Sequence, residues 1–304
     1  MLGLVTAEVA AHLDPDLEPL ASAMRDRLGG DRVEVVAWDD LGVDWERFDV
    51  AVVRSTWDYT DRLAEFLDWT DRVAERTRLL NSPDAIRWSS DKRYLAELAA
   101  ADVAIPSTAF VAPGESAPTV EGVHVVKPTV GAGADGARRC EPDEVADHVA
   151  LLHARGRTAI VQPYLELLDE RGETGLCFAR IGGRLELVNA FGKGAILTTT
   201  EVEREGDLFA KERIDPRVPS GSEVELAERA LGCRAVTDLD DVFFARVDVA
   251  PMRAASGEES FVVVELELIE PSFFFATGPS SLERFADALA STVESADARP
   301  AAGS

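Results

Sequence analysis

Only four of the 31 basic residues are lysines: Lys92, Lys127, Lys193 and Lys211. Three of them stand where a compact point charge suits phosphate oxygens. Lys92 follows Asp91 at the start of a helix. Lys127 ends the apolar run Val123-His124-Val125-Val126, directly before a loop with Gly131, Gly133 and Gly136. Lys193 is held between Gly192 and Gly194. Glycines let a backbone approach phosphates closely and point N–H groups at them. Their spacing here is neither a Walker loop nor a dinucleotide fingerprint. Taken alone the loop reads more plainly as a hairpin turn, and it is the lysine-ended strand before it that favours phosphate.

A second set is acidic. Asp248 lies in Arg246-Val247-Asp248-Val249, and Glu265 and Glu267 lie in Val264-Glu265-Leu266-Glu267-Leu268. Alternation puts Glu265 and Glu267 on one face of a strand. If the two strands pair, three carboxylates converge, and like charges at close range need cations. Hard oxygen donors on adjacent strands suit Mg²⁺ bridging phosphates. The competing reading is a solvated acidic face. The apolar residues around both segments argue for central strands instead. Gln162-Pro163-Tyr164-Leu165 offers a backbone freed from pairing by proline, fit to bond an adenine edge. Asp169 and Glu173 follow, as acceptors for ribose hydroxyls. Four scattered histidines form no catalytic set.

These groups need elements to position them. Residues 1–88 alternate short apolar runs with helical patterns, the mark of βαβ units. Strands are predicted over 2–6, 33–38 and 49–53. One helix carries Leu17, Leu20, Met24 and Leu28 and ends at Gly29-Gly30. Another carries Leu63, Phe66, Leu67 and Val73. Ligands bind beyond the carboxyl ends of such strands. The third strand delivers Arg54-Ser55-Thr56-Trp57-Asp58-Tyr59 to that place, where Arg54 to Asp58 are expected to contact substrate. A central unit is expected over 89–165, with the glycine loop and a helix through Val145, Val149 and Leu152. A C-terminal unit is expected over 166–296, carrying the acidic strands and a helix capped by Ser220 and Glu223. The stretch 198–219 reads as a mobile flap and 297–304 as a flexible tail.

A net charge of −25 excludes general binding to nucleic acid or an anionic membrane, since both need a cationic face. Cys140, Cys177 and Cys233 are far apart and lack metal spacing, so they are expected to be reduced core thiols. The first residues show neither a basic region nor a long apolar stretch. The expectation is a cytoplasmic protein without signal peptide or membrane span. A homodimer is the assembly expected.

In order along the chain, these segments resemble the ATP-grasp superfamily, in the branch of prokaryotic glutathione synthetase. Asn81-Ser82-Pro83, Arg87 and Asp91-Lys92 match its first motif. Val126-Lys127-Pro128 with the glycine loop matches the second, and Glu265 to Pro271 the metal strand. Glu267 stands where an asparagine is usual, adding one negative charge. Over nearly the whole chain there is a closer similarity to the cyclo-ligases of cycloserine biosynthesis, which close O-ureido-serine. It takes in the 54–59 hexapeptide, Lys193-Gly194-Ala195 and Pro216-Arg217.

The resemblance implies an α/β protein: an ATP-grasp fold, α+β in its ATP-grasp part, behind an N-terminal open parallel α/β domain. It implies an ADP-forming ligase working on a small amino-acid-like substrate through an acyl phosphate. ATP would be bound by Lys92, Lys127, Gly131, Gly133, Gln162, Tyr164, Leu165, Asp169 and Glu173. Mg²⁺, two ions in the usual arrangement and with Mn²⁺ as an alternative, would sit on Asp248, Glu265 and Glu267. Lys193, Arg246 and Arg217 would stabilise the transferred phosphoryl group and the tetrahedral oxyanion. Alternatives left open are a ligase joining two amino acids, a kinase that stops at phosphoryl transfer, and an ATP-binding sensor without turnover.

Overall fold

A computed structural model describes residues 1–197, 204–205, 209–210, 213–254 and 256–297. Lys211 and most of the expected flap and tail lie outside the described residues.

The first unit is a parallel sheet in the order β2-β1-β3-β4. It comprises β1 (Leu2–Thr6), β2 (Val33–Ala37), β3 (Val50–Ser55) and β4 (Arg78–Leu80). Alternation sends Leu2 and Leu4 of β1 to one face and Val5 to the other. The first face packs on α1 (Leu17–Leu28) through Leu20 and Met24. The second packs on α2 (Leu63–Ala74) through Phe66, Trp69 and Val73. Both faces are covered, so the strands read as apolar runs. β3 ends at the carboxyl edge of the sheet and places the hexapeptide there, as the sequence predicts.

α3 (Pro83–Ser90) starts on a Ser82 cap with proline at its first turn. α4 (Tyr94–Ala100) follows, with Lys92 in the turn between them. The second sheet is antiparallel, in the order β5-β8-β6-β7. Its strands are β5 (Ala109–Val111), β6 (His124–Pro128), β7 (Arg138–Cys140) and β8 (Ala159–Pro163). α5 (Val145–Ala154) covers it with Val145, Val149 and Leu152. After the single turn α6 (Leu168–Arg171), β9 (Glu173–Ile181) and β10 (Arg184–Lys193) open the third sheet. A short ribbon, β11 (Arg204–Glu205) and β12 (Phe209–Ala210), precedes β13 (Ile214–Pro216). α7 (Gly221–Gly232) begins with the expected capping box of Ser220 and Glu223. Then come α8 (Arg234–Thr237), β14 (Phe244–Arg253), β15 (Glu259–Glu267) and α9 (Ser281–Asp297). The third sheet is antiparallel, in the order β13-β10-β9-β14-β15.

Unit boundaries differ from the expected ones. Ala85, Tyr94, Leu95, Leu98 and Val103 share a core with Leu176, Phe178, Val247 and Leu266 of the third sheet. The segment 89–104, assigned from sequence to the central unit, therefore belongs by packing to the C-terminal one. The apolar faces of α3 and α4 set that outcome, and a boundary drawn at residue 88 cuts through it. The first and third units are also locked together. Buried Asn81 donates to the carbonyls of Phe244 (2.8 Å) and Leu268 (2.7 Å). Its oxygen accepts from the N–H groups of Phe243 and Phe244. Asp16 at the start of α1 accepts from the N–H groups of Phe273, Phe274 and Phe275. Part of the expected flap is regular structure, since β13 pairs with the end of β10.

Candidate active site

A cavity of about 670 Å³ opens where the three units meet. Lys92, Lys127, Gly131, Gly133, Lys193 and Arg246 line it, as do Glu173, Glu265 and Glu267. The sheet register explains how separated residues meet. β14 and β15 pair Asp248 with Glu265 and Arg246 with Glu267. β9 and β10 pair Glu173 with Lys193. The three expected metal carboxylates thus share one sheet face.

Cations neutralise that face. Fully buried Asp248 receives Nε (2.8 Å) and Nη2 (3.1 Å) of Arg246 and Nζ of Lys193 (3.0 Å). Arg246 also pairs with Glu267 at 2.7 Å, Lys92 with Glu265 at 3.1 Å, and Lys193 with Glu173 at 3.5 Å. Burial raises an isolated carboxyl pKa and opposite charge lowers it. For Glu265 burial pushes upward, but Lys92, Arg246, Lys193 and Lys127 together bring it down to about 2. Burial keeps Glu267 above its ordinary value, with Glu265 and Asp248 adding repulsion against Arg246. Burial raises Glu173 too, opposed by Lys193. The Lys127 ammonium is pushed down by burial, against the pull of Glu265. Among the described residues, no ion pair or hydrogen bond engages its Nζ.

The glycine loop joins β6 to β7. Gly133 (φ 57°), Ala134 (φ 59°) and Gly136 (φ 70°) all adopt left-handed backbone, which favours glycine. A side chain at Gly136 would press on Pro128 and Leu152. Lys92 Nζ donates to the Gly131 carbonyl at 2.6 Å, tying the loop to β15 through Glu265. Arg157 bridges Asp135 of the loop to Asp61 of the first unit.

Other expected contacts are corrected by the geometry. Gln162, Tyr164 and Leu165 do line the cavity. Yet Pro163 does not free the backbone: it still pairs with His124, and the Tyr164 N–H is taken by the Val123 carbonyl. Asp169 is not on the cavity wall. It accepts from the Tyr164 hydroxyl and lies 3.4 Å from Arg139, which stacks on the Tyr164 ring. Arg217 is not on the wall either. Its guanidinium bonds the carbonyls of Arg171 and Glu173 and the Thr174 hydroxyl, close against Gly192. It braces the strand ends that carry Glu173 and Lys193.

Of the hexapeptide, only Trp57 and Tyr59 reach the cavity. Arg54, buried beneath it, donates to the Pro271 carbonyl and faces the rings of Phe273 and Phe285. Ser55 bonds Thr6 within the sheet, and Thr56 is wholly buried. Asp58 accepts from Trp38 and Arg62. None of these four lines the cavity.

Sequence reasoning missed Glu270, Ser272 and Phe274, which also line the cavity, with Glu270 bonded by the Trp57 side chain. Glu270 is 3 % exposed, and burial first, then Glu267, pushes its carboxyl well above the ordinary value. The signal was a carboxylate before Pro271 inside an apolar stretch.

Mg²⁺ is ordinarily held by one or two carboxylates together with phosphate and water. Glu265 and Glu267, facing the cavity, fit that role. Asp248 is fully buried behind them, accepts from Arg246 and Lys193, and does not line the cavity. Among the described residues, no three carboxylates are grouped to hold an ion unaided.

Two facing α+β sheets that close on a lysine-lined cavity, behind a parallel α/β unit, define an ATP-grasp ligase. Solved structures agree in fold. The D-alanyl-alanine synthetase A of Vibrio cholerae superposes with a TM-score of 0.61 at 14% identity, covering 97% of each chain. The D-alanine–D-alanine ligase of Bacillus anthracis with ATP gives 0.59 at 16%, covering 97% of this chain and 94% of that one. The more specific likeness is to the D-cycloserine synthetase DcsG, whose crystal structure gives a TM-score of 0.82 at 35% identity, covering 96% and 99%. The cycloserine biosynthesis protein DcsG of Streptomyces lavendulae is 36% identical over 304 residues, covering 95% of this chain and 98% of the relative. Residues 2–81 match the family described as D-cycloserine synthetase DcsG, N-terminal domain. The chain belongs to this cycloserine synthetase family and is an ATP-dependent ligase acting on small molecules.

Proposed function

We propose that the protein is an ADP-forming ligase that activates the carboxylate of a small amino-acid-like substrate as an acyl phosphate and closes a ring within it. One observation carries the reading. Four cations, Lys92, Lys127, Lys193 and Arg246, and two metal-competent carboxylates, Glu265 and Glu267, share a cavity that Trp57, Tyr59 and Phe274 also line. Such a wall suits phosphoryl transfer, which is mostly positioning and neutralisation of charge.

Lys92 and Lys127 would hold the phosphates of ATP, and Gln162, Tyr164 and Leu165 would pack against its base. The glycine loop would cover the triphosphate and exclude water. Glu265 and Glu267 would hold Mg²⁺, or Mn²⁺ in its place, and the ion would supply positive charge to neutralise the phosphates. A substrate carboxylate oxygen attacks the γ-phosphorus, and ADP leaves. The substrate nitrogen then attacks the acyl carbon, loses a proton, and phosphate departs with the C–O bonding pair. Lys193 and Arg246 would steady the oxyanion of that second step. The family likeness supports O-ureido-serine as the substrate type.

The test is an ADP-release screen over amino acids and their O-ureido and O-amino derivatives, with product mass and hydroxylamine trapping. ADP release with a hydroxamate in the trap and a cyclic product in its absence is the expected result. A strict need for a second amino acid would replace ring closure by intermolecular joining. ADP without hydroxamate or condensed product would overturn the ligase scheme.

A further inference from the structure

The cavity wall holds a carboxylate that the phosphate chemistry does not use. Asp248, Glu173, Glu265 and Glu267 each have a cation within 3.5 Å. Glu270, although 3 % exposed, has no ion-pair partner among the described residues. Its own bond comes from the Trp57 side chain. Two guanidinium groups reach it with their fields, but neither forms an ion pair with it. Arg246 is held by Asp248 and Glu267, while Arg54 donates once, to the Pro271 carbonyl, and its buried Nε and Nη1 have no hydrogen-bond partner among the described residues.

Burial favours the neutral acid at Glu270, and a cation arriving beside it in the cavity would favour the charged form. Trp57 bonds Glu270, Tyr59 lies within reach of its charge, and both line the same cavity. Aromatic faces attract cations, most strongly when water is excluded. A carboxylate beside such faces accepts a compact cation with several N–H donors. A primary ammonium has three.

We propose that Glu270, with Trp57 and Tyr59 beside it, is the subsite that takes the ammonium group of the substrate and so selects amino acids over plain carboxylic acids. This rests on the reading of the cavity as a ligase site and adds to it which part of the substrate is recognised, and by what. Glu270 lies three residues beyond Glu267. An ammonium held there leaves the substrate carboxylate free to turn toward the cationic wall.

The experiment is calorimetric titration of O-ureido-serine and its desamino analogue into protein loaded with a non-hydrolysable ATP analogue and Mg²⁺. ADP release from ATP is measured in parallel. The wild type is expected to bind the ammonium-bearing probe about 10- to 100-fold more tightly, as fits a hydrogen-bonded charge contact. Glu270→Gln, nearly the same shape, removes that difference while Mn²⁺ and nucleotide affinities stay unchanged. Glu270→Asp, which keeps the charge, restores part of it. Equal affinity of the wild type for both probes, or an undiminished preference in Glu270→Gln, overturns the subsite. So does a loss of Mn²⁺ affinity in that variant, which would make Glu270 a metal ligand. A preference that depends on Glu270, without ADP release, leaves the subsite standing and removes the ligase reading. ADP release without any such preference does the reverse, and failure of the wild type to bind either probe removes both.

Discussion

The two ends of the cavity solve the same problem in opposite ways. At the β14–β15 end, carboxylates and cations alternate across paired strands, so that nearly every charge has a partner already in place. Beside Trp57, Glu270 has a bond from the indole side chain and no ion pair among the described residues. On the proposed function the first would receive an anion with its metal, its own charges holding it in shape meanwhile. On the proposed subsite the second would receive a cation. Together they would set phosphates against one and the amino group against the other, and so orient the substrate.

The sharpest way to break the charged end is to remove its keystone. Asp248→Asn leaves Lys193 and Arg246 without their shared counter-charge. Losing one side of a buried pair costs about 3–5 kcal/mol. Denaturant unfolding should show a deficit of that size, whereas a loss within the range of a surface substitution would deny Asp248 its place. Next is Lys127→Ala, which removes a cation that makes no ion pair among the described residues. ATP affinity should fall by about 100-fold with little change in unfolding midpoint, since charge contacts to phosphate are worth about 1.5–3 kcal/mol. Unchanged affinity in a titration would take nucleotide away from this wall.

At the Glu270 end, Trp57→Phe keeps a ring but removes the N–H that bonds Glu270. The KM for substrate should rise by about tenfold, as for one lost hydrogen bond to a charged group, with the KM for ATP steady. A rise confined to ATP would reverse the assignment of the two ends. The smallest effect expected is a pH dependence. The folded-state value of Glu265 lies near 2, below the ordinary 4.5, so its stabilising contribution is full above about 4.5 and fades as pH falls toward about 2. The stability deficit of Glu265→Gln should therefore be larger at pH 7 than at pH 3. A deficit that widens on acidification would contradict the ion pair with Lys92.

The same contrast separates what could be read in the sequence from what could not. Alternation within a strand is local, so Glu265 and Glu267 could be placed on one face, and apolar neighbours argued for the pairing that brings Asp248 to them. Lys127 was legible because a strand must end somewhere and a glycine loop marks where. The parallel N-terminal sheet followed from apolar runs alternating with helical patterns. Glu270 was hidden because the period of two stops with β15 at Glu267, and beyond it only tertiary packing decides direction. Arg54 and Arg217 misled for a related reason. A cation next to a loop reads as a ligand contact, yet Arg217 spends its donors on strand ends far along the chain, and Arg54 lies buried with one bond to the Pro271 carbonyl. Asn81 and Asp16 join the first unit to the third across more than 150 residues, and no local pattern reports such a bond.

The most direct test of the account is a crystal structure with a non-hydrolysable ATP analogue and Mg²⁺. The account places the triphosphate against Lys92 and Lys127 under the glycine loop, with the ion on Glu265 and Glu267 and the Glu270 end left for substrate. A nucleotide lying at the Trp57 end, or an ion held away from β15, would contradict it.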